Sequence, residues 1–230
     1  MDVGLSIAAQ GMLAEQVRQN ELSNNLSNAS TPGYKPQLAD QRSFDSLLLQ
    51  NTANGQSIGS LQTGVDVNKV VTDTAPAALQ STGQPLDFGI SGEGFFAVRT
   101  PAGVRYTQDG QFSANRAGQL VDGSGNPVLS QGGQPVRVGA NGTVPASSLG
   151  VFNVRNPSEQ GDNLFTGAAA GRATGTVHSG ELEGSGVDAV STMTDMIASL
   201  RAYQAGQSAI QSIDQTMRED ATSVGSVQGG

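Results

Sequence analysis

Residues 24–35 read Asn24-Asn25-Leu26-Ser27-Asn28-Ala29-Ser30-Thr31-Pro32-Gly33-Tyr34-Lys35, and the chain changes its character across them. The Asn- and Ser-rich run leads into a Pro-Gly dipeptide, which sets a turn and does not continue a helix. We therefore predict that a helix precedes this stretch and ends within it.

The upstream segment, from about Asp2 to Ser30, contains no proline and is predicted to be a helix roughly 40 Å long. Its apolar residues recur at intervals close to three or four and are interrupted by Glu15 and Gln19. This face is too narrow and too polar for an ordinary core helix. Its apolar members are Leu5, Ala8, Met12, Leu22 and Leu26.

A second helix is predicted at the other end of the chain, from Val187 to about Thr222. Its apolar residues step by 3, 4, 3, 3, 7, 3 and 4, which is typical of a heptad seam. The residues of this predicted seam are Val190, Met193, Ile197, Leu200, Tyr203, Ile210, Ile213 and Met217.

The chain between the two helices divides into three parts. Residues 34–64 are rich in Gly, Ser, Gln and Asn after a short apolar run and are predicted to be a loop or linker. Residues 65–160 carry short β-type runs, such as Gly94–Val98 and Val151–Val154, separated by Gly-rich turns, and are predicted to form a small antiparallel β domain. Residues 161–186 are again Gly-rich and are predicted to be an irregular return segment.

The β domain needs a core, and its few aromatic and aliphatic residues supply one. The predicted core consists of Phe88, Phe95, Phe96, Val98, Phe112, Leu120, Val128 and Phe152. The fold class is thus α+β, with helices at residues 1–33 and 187–230 on either side of the β domain. Because no third helix is available to bury the two apolar faces, copies of the same chain are the simplest partners, and a repeating contact that does not close gives a helical assembly.

Composition excludes several classes of function. The apolar fraction, not counting Gly, is 36%, against an average of about 45–50% on a definition that also counts Gly, so a large single core is not expected. A net charge of −8 and the absence of a basic run exclude a nucleic-acid partner. The chain has no Cys, hence no disulfide or Cys-based zinc site, and no apolar run approaches the roughly 20 residues of a membrane span. The N-terminus also lacks the pattern of a cleaved signal peptide.

Candidate catalytic and metal sites are weak. Asp122-Gly123-Ser124-Gly125-Asn126 resembles the start of a calcium loop, but no Glu stands near its twelfth position, so a turn is expected. The only histidine, His178, lies in a Gly/Ser/Thr stretch and is interpreted as a loop residue. Asp87 and Glu93 could form a hydrolase pair, which is the least favoured hypothesis. We predict no enzyme activity, no cofactor and no metal.

Several motifs, in order along nearly the whole chain, resemble the flagellar basal-body rod protein family, the rod and hook axial proteins of the FlgF and FlgG type. The stretch at 24–35 resembles that family's N-terminal signature, and Pro85–Val98 and Tyr106–Phe112 resemble the start of its β domain. Gly180–Val187 and Arg201-Ala202-Tyr203-Gln204 resemble its return to the C-terminal helix. The resemblance leaves the proximal and distal rod types both open.

The resemblance implies a structural rod subunit that transmits torque from motor to hook. Residues 1–33 and 187–230 would then pair as a coiled coil in a helical axial core domain. Expected partners are further copies, other rod and hook axial proteins, and the flagellar type III export apparatus, which needs no cleaved signal. The expected location is the flagellar basal body outside the cytoplasm, without membrane insertion.

Assembly contacts are expected on the two helices. They comprise Leu5, Met12, Leu22 and Leu26 on the first helix, the residues of the predicted seam on the second, and the amides Asn24, Asn25 and Asn28. For the three Asn residues, turn chemistry at a helix end is an equal alternative to an interface role. A secreted β-domain binding module outside the basal body is the alternative function.

Overall fold

The computed structural model describes residues 2–43, 47–50, 57–61, 65–161 and 163–227, with side chains described at 4–40, 70–161 and 163–219. The chain divides into two compact units. One, called here the helical unit, takes the described parts of Met1–Asn24, Gln37–Val71 and Val190–Gly230. The other, called the β unit, takes Asn25–Pro36 and Thr72–Ala189. The architecture is α+β, as the sequence predicts.

Two helices stand at the ends of the chain, as expected. Helix α1 spans Asp2–Ser27 and helix α2 spans Ala189–Val227. Helix α1 ends in a turn in which Gly33 takes a φ of 64°, a conformation that favours glycine. Asp188 directly precedes α2, and Asp is a favoured residue at that position. Within the described residues, neither helix is long and apolar enough to cross a membrane.

The segment predicted as a loop or linker, residues 34–64, instead carries strands. Strand β1 spans Gln37–Ser43, β2 spans Leu47–Gln50, β3 spans Ser57–Leu61, and β4 spans Val65–Thr72. Strand β1 pairs with β4, and β2 pairs with β3 in an antiparallel ribbon. A two-stranded ribbon satisfies backbone groups without needing an apolar core, so a polar, Gly-rich composition does not reveal it.

The β unit contains eleven named strands. They are β5 Leu79–Ser81, β6 Phe88–Ser91, β7 Phe95–Thr100, β8 Gly103–Thr107, β9 Ser113–Ala114, β10 Leu120–Val121, β11 Val128–Leu129, β12 Val151–Glu159, β13 Phe165–Arg172, β14 Thr176–Ser179 and β15 Glu181–Glu183, with a short 3-10 turn at Ala146–Ser148. The largest sheet has the order β11-β7-β12-β13-β8, and β8 also pairs with β7. Because β7, β12, β13 and β8 thus pair in a ring, this sheet closes on itself.

Two buried clusters form the core of the β unit. One contains Phe88, Phe96, Val98, Phe112, Leu120 and Val128 among others, and the second contains Phe95 and Phe165, with Phe152 packed against it. The predicted core is therefore confirmed, with Phe152 partly buried. Two further runs of β-type sequence, at 136–138 and 142–144, form no named strand, although Val136 and Val144 are buried. Burial alone accounts for those apolar residues.

The return segment, residues 161–186, is also more regular than predicted. It holds β13, β14 and β15, of which β14 pairs with β6 and β15 pairs with β5. Its glycines supply turn conformations between the strands, as at Gly180, whose φ is 79°. The chain thus reaches α2 directly from strand β15 and a short connection.

Candidate assembly surface

Helices α1 and α2 contact each other within the helical unit. The hydroxyl of Ser199 donates to Oε2 of Glu15 at 2.6 Å, and Ser199 is almost fully buried. A Cβ at Gly206 would lie 2.8 Å from Cγ of Met12, so glycine permits the close approach there. A Cβ at Gly4 would lie 3.9 Å from Cδ1 of Ile213. As the numbers rise on α2 they fall on α1, so these contacts run antiparallel.

These contacts define the face of α2 that turns towards α1. Ser199, Gly206 and Ile213 recur every seven residues, and Thr192, one heptad earlier, is buried. This face is called here the contact seam. The first three residues of the contact seam are Thr192, Ser199 and Gly206, so this part of the seam has no large apolar side chain.

The predicted seam coincides with this face only in its second half. Tyr203, Ile210, Ile213 and Met217 are partly buried. The first four residues are exposed: Val190 75%, Met193 51%, Ile197 55% and Leu200 46%. Two consecutive steps of three residues rotate the pattern by about 60° each on a helix, so the residues before Leu200 lie on a different side from those after it.

These four residues are called here the exposed stripe. Their spacing of three and four residues makes them neighbours on one helix face. Positions that continue the stripe are polar, beginning with Gln204 and Gln207, both exposed. The apolar surface is therefore confined to the first three turns of α2.

On α1, the predicted contact residues differ in burial. Leu22 is buried, whereas Leu5, Met12 and Leu26 are partly buried. Leu13, which is not among the predicted apolar residues of the α1 face, is 62% exposed.

Exposed large apolar residues concentrate in one of the two units. Among the described side chains, eight of the nine belong to the helical unit: Leu13, Leu38, Val70, Val71, Val190, Met193, Ile197 and Leu200, with Val104 as the exception in the β unit. The β unit buries its apolar residues in its own two clusters. The helical unit leaves a substantial part of its apolar surface uncovered, which is typical of an interaction surface.

The three predicted Asn residues divide between burial and exposure. Asn25 is buried, and its Oδ1 accepts a hydrogen bond from the Tyr34 hydroxyl at 3.0 Å. Oδ1 of Asn28 accepts one from the Thr31 hydroxyl at 3.2 Å. Asn24 is exposed. Asn25 and Asn28 thus take part in the turn chemistry that follows α1.

A buried ion pair next to this turn was not predicted. Nζ of Lys35 lies 2.7 Å from Oε1 of Glu183, and neither side chain is more than 1% exposed to solvent. Lys35 also donates to the Ala75 carbonyl at 2.7 Å, and the Ala77 N–H donates to the same Oε1 at 2.6 Å. Charged side chains are almost never fully buried unless paired, so the burial of one implies the other.

Two backbone hydrogen bonds flank this ion pair. The Gly33 N–H donates to the Glu183 carbonyl, and the Gly186 N–H donates to the Tyr34 carbonyl, both at 2.9 Å. Residues 33–36 and 183–186 are called here the junction. It lies wholly in the β unit and leads from α1 on one side and into α2 on the other.

Two of the weak catalytic and metal candidates, Asp122 and Asp87, accept hydrogen bonds from neighbouring groups of the β unit. Oδ1 of Asp122 accepts from the N–H groups of Ser124 and Asn126, which closes the turn expected there. Oδ2 of Asp87 accepts from the Thr82 hydroxyl at 2.6 Å, and Glu93 is exposed. Among the residues that the structure describes, no group of three or more His, Cys, Asp or Glu residues could hold a metal ion.

One carboxyl in this region is perturbed. Burial raises the pKa of Asp109 above its ordinary value, and the negative charges of Asp122 and Asp87 raise it further. A hydrogen bond from the Gln111 N–H to the Asp109 carboxylate opposes the rise.

Three family profiles match successive parts of the chain. Residues 5–35 match the profile described as flagella basal body rod protein. Residues 89–155 match the flagellar hook protein FlgE/F/G D1 domain, and residues 178–223 match the flagellar basal body rod FlgEFG protein C-terminal region. The matches contain the turn at 31–35, strands β7, β8 and β11 and the start of β12 in the closed sheet, and most of α2.

Similar proteins cover nearly the whole chain. It is 32% identical to the flagellar hook-basal body complex protein FlhO of Bacillus subtilis, over 97% of this chain and 99% of that protein. It is 31% identical to the flagellar basal-body rod protein FlgG of Caulobacter vibrioides, over 93% and 96%. It is 30% identical to the rod protein FlgF of Rhizobium meliloti, over 88% and 90%.

Proposed function

The chain belongs to the family of flagellar basal-body rod proteins, and we propose that it is a structural rod subunit that polymerises through its terminal helices. The partners are further copies of the chain and other axial proteins of the flagellum. In this assembly the rod carries torque from the motor to the hook. The location is the flagellar basal body.

The exposed stripe is the observation that carries this proposal. Val190, Met193, Ile197 and Leu200 are each about half exposed or more, although they lie on the helix that the family match covers. Burying such side chains against a neighbour contributes roughly 3–6 kcal/mol per subunit, since full burial of each gives about 1.5–3 kcal/mol. This stabilisation is absent in the monomer and becomes available only when a neighbouring subunit covers the stripe.

The concentration of exposed apolar residues in the helical unit also supports this proposal, in which the helical unit makes the assembly contacts. The β unit has its own closed sheet and two cores, so it folds without help from a neighbour. The helical unit has a contact seam without large apolar side chains in its first half, and an uncovered apolar stripe. We propose that α1 and α2 pair as a coiled coil along the contact seam and that neighbouring subunits cover the stripe.

The remaining proposed contact residues lie on α1, on the second half of α2 and at the end of α1. We propose that Leu5, Met12, Leu22 and Leu26 of α1 and Tyr203, Ile210, Ile213 and Met217 of α2 complete the helix packing, with Asn24, Asn25 and Asn28 at the end of α1. The proposed domain division keeps residues 1–33 and 187–230 as the axial core and the β domain as an outer layer. Type III export is proposed as the route out of the cytoplasm.

Quantitative mass spectrometry of purified hook–basal bodies tests the proposal. We expect this chain to be present in fixed stoichiometry with the other axial proteins. A high copy number assigns it to the distal rod, and a few copies assign it to the proximal rod. Absence from basal bodies in cells that make the protein contradicts the proposal and favours the secreted binding module.

A further inference from the structure

We propose that the buried pair of Lys35 and Glu183 is a positioning device, which holds the segments leading out of α1 and into α2 in one fixed register on the β unit. Its role is geometric and adds little net stability. The consequence for assembly rests on the proposed function, whereas the positioning itself does not.

The energetics of the pair argue against a purely stabilising role. Removing a lysine and a glutamate from water is costly, and well-packed apolar residues in place of a buried ion pair are often as stable or more stable. Oε2 of Glu183 is, in addition, buried and without a hydrogen-bond partner. An unsatisfied buried acceptor costs free energy, so the pair is not optimised for stability.

The geometry of the pair explains what it provides instead. Lys35 and Glu183 are 148 residues apart in sequence, and their bond ties the two ends of the β unit together. Through the Ala75 carbonyl and the Ala77 N–H, the same two side chains also fix the segment before β5. Three separate stretches of chain therefore meet at two charged groups.

Hydrogen bonds to charged groups are short and directional, unlike apolar contacts. The flanking bonds from Gly33 to the Glu183 carbonyl and from Gly186 to the Tyr34 carbonyl depend on the same register. A shift of either segment along the other breaks the ion pair and leaves two buried charges unpaired, which is strongly unfavourable. The pair therefore excludes shifted registers of the junction.

The consequence for a rod subunit follows from the place of the junction. Residues 28–36 follow α1, and residues 184–188 connect β15 to α2. When the junction slips, the end of α1 and the start of α2 move with it. Polymerisation needs the helices of each subunit in a repeatable position, so we expect slippage to impair assembly more than folding.

The test compares the natural full-length chain with the double variant Lys35→Met/Glu183→Leu, which replaces the pair by apolar side chains. The single variants are expected to lower Tm by roughly 6–20 °C or to fail to fold, because each leaves a buried charge unpaired. The double variant is expected to melt within roughly 4 °C of the natural chain. Glu181→Gln removes a partly exposed charge on the same strand and is the matched control.

Positioning is read out by spin labels at Ser30→Cys and Ser113→Cys, both exposed and both within the β unit. The chain has no natural Cys, so labelling is specific. We expect a narrow distance distribution in the natural chain and in Glu181→Gln, and a widened one in the double variant. In a strain where the variant replaces the natural gene, we expect loss of swimming for the double variant and normal swimming for Glu181→Gln.

A double variant with a narrow distribution and normal swimming overturns the positioning role. A double variant that does not fold overturns it as well, because the pair is then required for stability. A widened distribution with normal swimming contradicts the link to assembly. If the distribution widens but the natural chain is absent from basal bodies, positioning stands and the proposed function fails.

Discussion

The hydroxyl of Ser199 lies 2.6 Å from Oε2 of Glu15 and joins α2 to α1 through a polar contact. Ser199 is almost fully buried and Glu15 is partly buried, so this bond is partly shielded from bulk water. A glutamate that interrupts the apolar face of α1 in the sequence is thus accommodated by a serine on the facing helix. Polar complementarity, rather than a continuous apolar seam, aligns the two helices at this point.

Replacing Ser199 by Ala is expected to destabilise the helix pair by about 1.5–3 kcal/mol, because a hydrogen bond to a charged group is lost. Amide hydrogen exchange in α1 and α2 measures the effect. Ser208→Ala is the matched control, since its hydroxyl donates only to the Gln204 carbonyl of its own helix and is exposed. Equal protection in the two variants contradicts a stabilising role for the Ser199 contact.

Introducing charge into the exposed stripe is expected to abolish assembly without unfolding the monomer. Met193→Glu and Ile197→Glu alter exposed positions, so their stability changes should stay within about 0.5 kcal/mol. A carboxylate buried against a neighbouring subunit is costly, so rods should not form. Basal-body yield and swimming measure assembly, and circular dichroism measures folding.

Gln204→Glu and Gln207→Glu are the controls for the stripe, because they add the same charge at exposed polar positions of the same helix. We expect both to assemble normally. Normal rods in Ile197→Glu would show that a neighbouring subunit does not cover the stripe.

Replacing Gly33 by Ala is expected to cost roughly 2–5 kcal/mol. Its φ of 64° is unfavourable for Ala, and the new Cβ would lie 2.5 Å from the backbone of Gln108 and Asp109. Gly118→Ala is the control, because Gly118 has a φ of 70° with nothing within 4 Å of its Cβ position. It should cost only about 1–2 kcal/mol. Urea unfolding of both variants separates conformational strain from steric contact, and equal costs would show that the contact relaxes freely.

Replacing Asp109 by Asn is expected to stabilise the protein at neutral pH. Burial raises the pKa of Asp109 in the folded state, so the folded chain binds this proton more tightly than the unfolded chain. The resulting stability is present below the ordinary pKa of 3.8 and is lost as the pH rises through the folded value. Asn keeps an acceptor for the Gln111 N–H and carries no charge.

The gain from Asp109→Asn should therefore be largest near neutral pH and vanish in acid. Urea unfolding at a series of pH values measures it, with Glu93→Gln as an exposed control. A gain that does not change with pH would mean that the buried charge is not its cause.

Local patterns predicted much of the fold. The Pro-Gly turn located the end of α1, because neither residue continues a helix and Gly33 takes a φ of 64°. The few large apolar residues of the middle segment identified the core, because such side chains are buried wherever a core exists. The strands at 37–61 were missed, since a ribbon held by backbone hydrogen bonds leaves little trace in side-chain composition.

The sequence by itself determined that two helices flank a β domain, the ends of both helices to within a few residues, the aromatic core and the family. All of these follow from residue types read over short distances. Only the tertiary structure decided which side of α2 faces α1 and that Lys35 meets Glu183. Apolar periodicity is ambiguous when one helix carries two apolar stripes, and a pair 148 residues apart leaves no local pattern, because folding alone brings its members together.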